Sequence, residues 1–318
     1  MSEFSLIDII RRRCTSSRSD VVLGIGDDAA LVEVPPGCEL AVCTDTLVAG
    51  IHFPLGTTAF DIGWKSLAVN LSDLAAMGAT PAWAVLALTL PTDDVQFVAG
   101  FADGFAALAR MHKVALIGGD TTQGPLCISV TVHGLVPRGQ AMRRDGARPG
   151  DLVFVSGTLG DAAAGLQYVS GHLRGQDSDL LKQRLNRPEP RVAGGLALRG
   201  LASACIDISD GLVADLGHVA KASGVAIEID RWKLPTSFAL QSCCTSALRT
   251  QLQLSGGDDY ELAFTVPAEK IDAMNDALAG VDCAITCIGR VVEGEGVRVV
   301  DSDGNEISTL HGGWEHFS

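Results

Sequence analysis

Basic residues are scarce: 24 Lys and Arg stand against 38 Asp and Glu, a formal net charge of −14 over 318 residues. A surface so poor in cations does not neutralise a phosphodiester backbone, so nucleic acid is not an expected partner. Long apolar runs are missing as well. The richest, residues 82–90, is about half the length of a membrane-spanning helix, so no span is expected. Residues 1–13 mix acidic and apolar side chains without the apolar core of a secretion signal, and the chain reads as cytoplasmic. Its nine cysteines form no Cys-x-x-Cys pair, which removes the ordinary zinc and redox motifs and leaves reduced, mostly buried thiols. There is no Gly-x-x-x-x-Gly-Lys-[Ser/Thr] phosphate loop, and Gly24-x-Gly26 lacks the third glycine of a dinucleotide fingerprint. Kinase-type His-Arg-Asp and Asp-Phe-Gly sets, solenoid repeats and low-complexity tracts are also absent.

What remains is 47% hydrophobic and only 19% charged, enough apolar material for large cores. Strand and helix patterns alternate. In the first half, residues 39–44 and 83–90 read as strands, 60–77 as a long helix closed by Gly78, 114–117 and 126–136 as strands. Thr92 and Asp93 are placed to cap a helix running to about His112. Residues 137–150 turn to Arg, Gly and Pro, marking a boundary between an N-terminal domain, 1–138, and a C-terminal domain, 148–318. The second half supplies strands at 151–156, 205–208, 225–229, 261–266, 284–288 and 297–300. Helices are expected near 161–169, 191–204, 212–222 and 267–278, with a polar insert between the first two. The fold class is therefore α/β (α+β), as two mixed α/β domains.

Five segments set aspartate beside glycine or threonine at the ends of apolar strands: Gly24-Ile25-Gly26-Asp27-Asp28, Thr44-Asp45-Thr46, Gly118-Gly119-Asp120-Thr121-Thr122, Asp207-Ile208-Ser209-Asp210-Gly211 and Ser255-Gly256-Gly257-Asp258-Asp259-Tyr260-Glu261. Each alone is a plain turn. Together they place carboxylates where a core meets tight turns. A sixth element lies in the helix at 60–77, where Asn70 and Asp73, three apart, share one face of an otherwise apolar stretch. A carboxylate there needs a cation, a hydrogen-bond network or an exposed end. Asp with Thr and Ser oxygens, and no His or Cys pairing, is the hard donor set of Mg²⁺. Bound metal reverses the local sign of charge, and glycine turns let backbone N–H groups reach phosphate oxygens, so an acidic chain can still take anionic phosphates.

The motifs Gly24-Ile-Gly-Asp-Asp-Ala29, Thr44-Asp-Thr-Leu-Val-Ala-Gly-Ile-His52-Phe53, Lys65-Ser-Leu-Ala-Val-Asn-Leu-Ser-Asp-Leu-Ala-Ala-Met-Gly78, Leu116-Ile-Gly-Gly-Asp-Thr-Thr122, Ile206-Asp-Ile-Ser-Asp-Gly211 and Ser255-Gly-Gly-Asp-Asp-Tyr-Glu-Leu262, in that order, resemble the thiamine-monophosphate kinase family. That family lies in a superfamily with aminoimidazole ribonucleotide synthetase and selenophosphate synthetase. The resemblance runs from about Phe4 to Phe317. It implies transfer of the γ-phosphate of ATP to thiamine monophosphate, giving thiamine diphosphate and ADP, with several Mg²⁺ ions. It also implies a homodimer joined by a β-barrel-like interface of N-terminal domains, and a C-terminal α/β layer domain covering the site. Carried over by motif, the metal ligands are Asp28, Thr44, Asp45, Asp73, Asp120, Asp207 and Asp210, with Cys43 contributing its backbone carbonyl. ATP falls to Gly119, Asp120, Arg144 and Ser209; the thiamine moiety falls near His52, Asp258 and Trp314. At Asp258 the family usually has Glu, and Asp259 and Glu261 stand as alternatives for that contact.

The residues agree with phosphoryl transfer, which asks a protein mainly for positioning and charge neutralisation. No Ser-His or Cys-His arrangement is present, and a phosphate acceptor is already ionised, so neither nucleophile nor general base is expected. Asp210 and Arg144 are the residues best placed for direct assistance. Arg144 lies in a rare basic cluster, where it is either an ordinary solvated arginine or a bidentate phosphate clamp. His52 is either a core histidine or a substrate contact, and the Trp314 ring can stack on a cationic heterocycle. The alternatives are another ATP-using enzyme of the superfamily, a Mg-nucleotide sensor without turnover, or a phosphohydrolase.

Overall fold

A computed structural model describes residues 3–14, 18–174 and 178–307. In chain order the elements are α1 (Glu3–Arg13), β1 (Val21–Leu23), β2 (Leu31–Val32), β3 (Cys38–Val48), α2 (Ala59–Ala76), β4 (Thr80–Leu90), α3 (Val95–Met111), β5 (Ala115–Gln123) and β6 (Cys127–Pro137). There follow β7 (Leu152–Ser156), α4 (Asp161–Val169), α5 (Ser178–Asn186), α6 (Val192–Leu198), β8 (Ala204–Asp207), α7 (Leu212–Ser223), β9 (Ala226–Asp230), α8 (Phe238–Cys243), α9 (Ser246–Ser255), β10 (Leu262–Val266), α10 (Ile271–Leu278), β11 (Ile285–Val292) and β12 (Gly296–Val300). They form two compact units, Met1–Leu74 with Ala79–Gly139, and Ala75–Gly78 with Gln140–Ser318. Among the described residues, no helix is long and apolar enough to cross a membrane.

The first unit is built on an open four-stranded sheet in the order β3-β6-β4-β5. Strand β6 shows why it forms: Ile128, Val130, Val132 and Val136 face inward and are buried, while Ser129, Thr131 and His133 alternate outward. Helix α2 buries Leu67, Ala68, Val69, Leu71, Leu74 and Ala75, which accounts for its nearly unbroken apolar sequence. On the outward face, the edge strand β3 leaves Leu40 and Val42 exposed at 42% and 55%. At one end of the same sheet, Trp83 is buried against Val21 and Val32 of the β1–β2 hairpin. Its Nε1–H donates to Asp20 at 3.3 Å, and Arg18 donates to both oxygens of that carboxylate, holding it below the usual carboxylate range.

Strand β5 departs from the turn expected at 118–122. It runs on in parallel beside β4, but Ala84 pairs with Leu116 and Val85 with Gly118, so Ile117 is an extra residue and the strand bulges. Gly119 has φ +154, and a Cβ there would collide with the Leu86 carbonyl oxygen. No other residue fits. Likewise Thr44-Asp45-Thr46 is not a strand end but lies inside β3, paired throughout with β6. The α3 cap is Asp94, whose carboxylate accepts from the Gln96 and Phe97 amides, rather than Thr92 or Asp93.

The second unit carries a six-stranded sheet, β12-β9-β11-β7-β10-β8, with β12–β9 parallel and the other pairs antiparallel. Val153, Val155, Ile206, Ile227 and Ala263 form one core with Leu212, Leu216 and Val219 of α7. The polar insert after α4 holds α5, whose Leu181 and Leu185 are each 1% exposed.

Gly119→Ala is expected to destabilise the chain by about 2 kcal/mol or more, because the backbone and the Leu86 carbonyl must both yield. Urea unfolding measures it. Burial holds His112 and His133 below the ordinary 6.5, so both stay neutral in the folded chain while the unfolded chain takes up protons there. Stability is therefore full above about pH 6.5 and declines as pH falls through it. Denaturant midpoints at pH 7.5 and 5.5 test the sign, and His133→Gln should flatten the slope.

Candidate active site

Beyond the bulge, β5 presents bare backbone at Gly118 and Gly119 and then the exposed Asp120, opposite Ala87 of β4. The Asp120 carboxylate makes no hydrogen bond or ion pair among the described residues. Beside this strand lies a cavity of about 760 Å³ lined by Gly26, Asp27, Asp28, Gly118, Gly119 and Arg11, among others. A smaller hollow of about 50 Å³ reaches Asp120 and Thr121, and a third of about 560 Å³ lies at Thr122, Gln123 and Leu90. The three hollows thus follow β5, and Asp27, Asp28 and Asp120 share their lining with the glycine backbone at 118–119. Asp28 is exposed and donates its amide to Asp27 Oδ1 at 2.9 Å, keeping the acidic turn compact.

Across the sheet, Asn70 ties α2 to β3. This fully buried amide donates to the Ser66 carbonyl at 3.0 Å and accepts from the Asp45 amide at 3.1 Å, while the Cys43 thiol reaches the Asn70 carbonyl at 3.5 Å. Asp73, one helical turn on, is half-buried rather than enclosed. The alternation of a strand sets Thr44 on the other face, where its hydroxyl meets that of Thr131 at 2.8 Å. The Thr44 hydroxyl and the Asp45 carboxylate therefore cannot share one cation through their side chains. His52 follows β3 in a tight turn; its Nδ1 accepts from the Val48 amide at 2.9 Å, which leaves the proton of the neutral ring on Nε2. The buried Lys65 ammonium donates to the His52 carbonyl at 3.2 Å, fixing that turn against α2.

In the second unit, Asp207 ends β8 in a buried position, and residues 208–211 turn into α7. The holder of this turn escaped sequence reasoning. Asp215 Oδ2 accepts from the amides of Ser209, Asp210 and Gly211 at 3.0, 3.1 and 3.1 Å. The signal was an Asp four residues past Gly211, the spacing at which a first-turn carboxylate reaches back to free helix N–H groups. Burial and the neighbouring Asp207 push Asp215 up to about 7. Asp258 is brought to the same turn: its amide donates to the Ser209 carbonyl at 2.9 Å and its carboxylate accepts from the Tyr260 hydroxyl at 3.0 Å.

Asp258 is half-buried, whereas Asp259 and Glu261 are 3% and 0% exposed, which removes both as alternative substrate contacts. Arg144 is exposed, and Asp145 is taken up by Arg143. Trp314 lies outside the described residues. Among the described residues, no three His, Cys, Asp or Glu side chains converge as a ready-made cation cage. The donor set nevertheless fits Mg²⁺ in kind, being carboxylate and backbone oxygen beside space for phosphates and water.

The family model described as AIR synthase related protein, N-terminal domain, matches residues 26–136, and the one described as AIR synthase related protein, C-terminal domain, matches residues 148–302. The thiamine-monophosphate kinase of Salmonella typhimurium is 47% identical over 320 residues, covering 99% of this chain and 98% of its own. The crystal structure of the thiamine-monophosphate kinase from Stenotrophomonas maltophilia K279a matches at 52% identity and a TM-score of 0.88, over 96% of this chain and 98% of that one. AaThiL complexed with AMPPCP and TMP matches at 38% identity and a TM-score of 0.78, over 99% of this chain and 97% of that one. With motifs, fold and full-length similarity in agreement, the chain belongs to the thiamine-monophosphate kinase family.

Proposed function

We propose that the protein phosphorylates thiamine monophosphate with ATP, releasing thiamine diphosphate and ADP. The observation that carries this reading is the β5 trough, where glycine backbone and the acids Asp27, Asp28 and Asp120 border a cavity of about 760 Å³ and its small extension. A relative of the same length and fold has been solved with AMPPCP and TMP, a nucleotide analogue and a match to the proposed acceptor. An oxygen of the acceptor phosphate forms a bond to the γ-phosphorus as the bond from that phosphorus to the β–γ bridging oxygen breaks, and ADP leaves. The acceptor oxygen is already anionic, so no side chain need remove a proton.

Mg²⁺, when bound, neutralises and aligns the phosphates. In the first unit Asp28, Asp45, Asp73 and Asp120 would hold it, with the Cys43 and Thr44 backbone; in the second unit the ligands would be Asp207 and Asp210. Gly119 offers its amide to phosphate oxygens at close range. Ser209, Arg144 and Asp120 orient the nucleotide, and Arg144 can fork onto phosphate oxygens. His52, Asp258 and Trp314 are assigned to the thiamine moiety. The reaction is placed in the cytoplasm, a reducing compartment that suits nine free cysteines.

The working form is a homodimer joined across the outward face of the first sheet. Leu40 and Val42 lie exposed there at the β3 edge beside a hydroxyl ladder, Thr44–Thr131 and Thr46–Ser129, and an exposed apolar strand of this kind invites a second copy.

Incubating the protein with ATP, Mg²⁺ and thiamine monophosphate should yield ADP and thiamine diphosphate in equal amounts; ADP and free phosphate alone would indicate a phosphohydrolase, and no turnover a sensor. Asp45→Asn and Asp120→Asn should each lower kcat by about a hundredfold or more, and near-normal turnover at low Mg²⁺ would remove them from the metal site. Asp120 is exposed, so its variant should keep the melting temperature within about 2 °C. Val42→Glu should convert the dimer to a monomer by light scattering on a sizing column.

A further inference from the structure

The segment bearing Asp258 is strained. Asp258 and Tyr260 have φ of 68 and 50, a left-handed backbone that residues other than glycine adopt only when their surroundings enforce it. One side of the enforcement comes from hydrogen bonds to residues 208 and 209: Tyr260 donates to the Ile208 carbonyl at 2.8 Å and Asp258 to that of Ser209. Asp259 Oδ2 accepts from the Gly160 amide at 2.7 Å, while its buried Oδ1 has no partner among the described residues.

The other side is Glu261, which has no exposed surface at all. Arg191 forks onto its carboxylate through Nε at 2.7 Å and Nη2 at 2.6 Å, Arg184 donates to Oε1, and the Ser156 hydroxyl donates to Oε2 at 2.6 Å. The Ser156 oxygen in turn accepts from the Leu262 amide at 2.8 Å. Gly157, at φ +58, leaves room for this carboxylate; a Cβ there would occupy its place. Burial alone would raise Glu261, but the two guanidiniums outweigh it and hold the carboxyl below its ordinary range.

Phosphoryl transfer itself has no use for this triad, and burying two arginines and a glutamate is a poor device for stability compared with apolar packing. Its distinctive effect is geometric: it anchors the backbone three residues after Asp258 to β7, α5 and α6. The Ser209–Asp210 turn opposite has its own anchor in Asp215. Two arms, separately fixed, meet along the hydrogen bonds between 208–209 and 258–260.

We propose that Glu261, gripped by Arg184, Arg191 and Ser156, is a positioning residue for the acceptor substrate, holding the strained arm so that Asp258 is presented to the thiamine moiety beside Ser209 and Asp210. This rests on the reading of Asp258 as a thiamine contact. The Ser209–Gly211 turn is bonded to this arm, the Ile208 amide donating to the Glu261 carbonyl at 2.8 Å. That turn has a second anchor in Asp215 that the arm lacks, so loss of the grip falls chiefly on the arm and on the substrate that Asp258 contacts.

The test compares wild type with Glu261→Gln and the milder Arg191→Lys, which keeps the charge but loses the fork. In hydrogen exchange, peptides spanning 256–262 should exchange roughly tenfold faster while those spanning 207–215 stay protected, as expected of a local opening. The KM for thiamine monophosphate should rise about tenfold, with kcat and the KM for ATP within about twofold. Placed on Asp258→Ala, neither change should raise that KM further, since residues acting through one contact are not additive. Unchanged exchange and KM in a folded variant would overturn the proposal, as would a parallel fall in kcat and rise in both KM values. Should Glu261→Gln not fold, Arg191→Lys carries both readouts. If wild type makes no thiamine diphosphate, the proposed function fails, whereas the exchange comparison still decides whether Glu261 fixes the arm.

Discussion

Carboxylates assembled to serve polyphosphates repel one another and resist burial, so each must be held by stiff backbone rather than gathered by mutual attraction. Here the holding is done by side-chain oxygens that accept from backbone amides. Asn70 accepts from the Asp45 amide and so locks α2 to the acid-bearing stretch of β3; Asp215 accepts from three successive amides of the Ser209–Gly211 turn. In both cases the gripping residue carries no assigned chemistry. The residue it grips does.

A second constraint is closeness. Phosphate oxygens reach backbone amides only where no side chain intervenes, and β5 meets this by bulging at Ile117 and leaving glycine at 118 and 119. The bulge re-aims the strand so that Asp120 emerges next to the bare stretch, while the Leu86 carbonyl packs where a Cβ would sit. Glycine at 119 is thus demanded by packing against Leu86, and the proposed nucleotide site would use the same bare stretch. In the second unit the same economy appears at Gly157, which yields its space to the Glu261 carboxylate.

Much of the fold was legible because its signals are local. The strands 151–156, 205–208 and 261–266 agree within a residue with β7, β8 and β10, and the helix read at 161–169 coincides with α4, since apolar periodicity survives wherever one face is buried. The misses have physical reasons. Thr44–Thr46 and 118–122 look like turns because Gly and Asp disfavour strands, yet pairing with β6 and β4 overrides that preference. Helix α5 hid in a polar insert because Leu181 and Leu185 are its only buried apolar residues among the described ones. Helices α8 and α9 are short, and their Ser237 and Thr245 caps accept from the Leu240 and Leu248 amides, a signal easily lost among other serines and threonines.

By itself the sequence determined the class of chemistry: an oxygen-rich acidic donor set, the absence of nucleophile and phosphate loop, and the ordered motifs of one kinase family are properties of residue identity and spacing. Which acids can act was decided only in three dimensions. Thr44 and Asp45 are neighbours in the chain but face opposite sides of β3, because successive strand residues alternate. Asp258, Asp259 and Glu261 look interchangeable in the sequence, yet only Asp258 reaches the surface; the others are spent inside, on the Gly160 amide and on two arginines brought from α5 and the start of α6. Solvent access and long-range partners are set by packing between distant segments, and no local pattern encodes them.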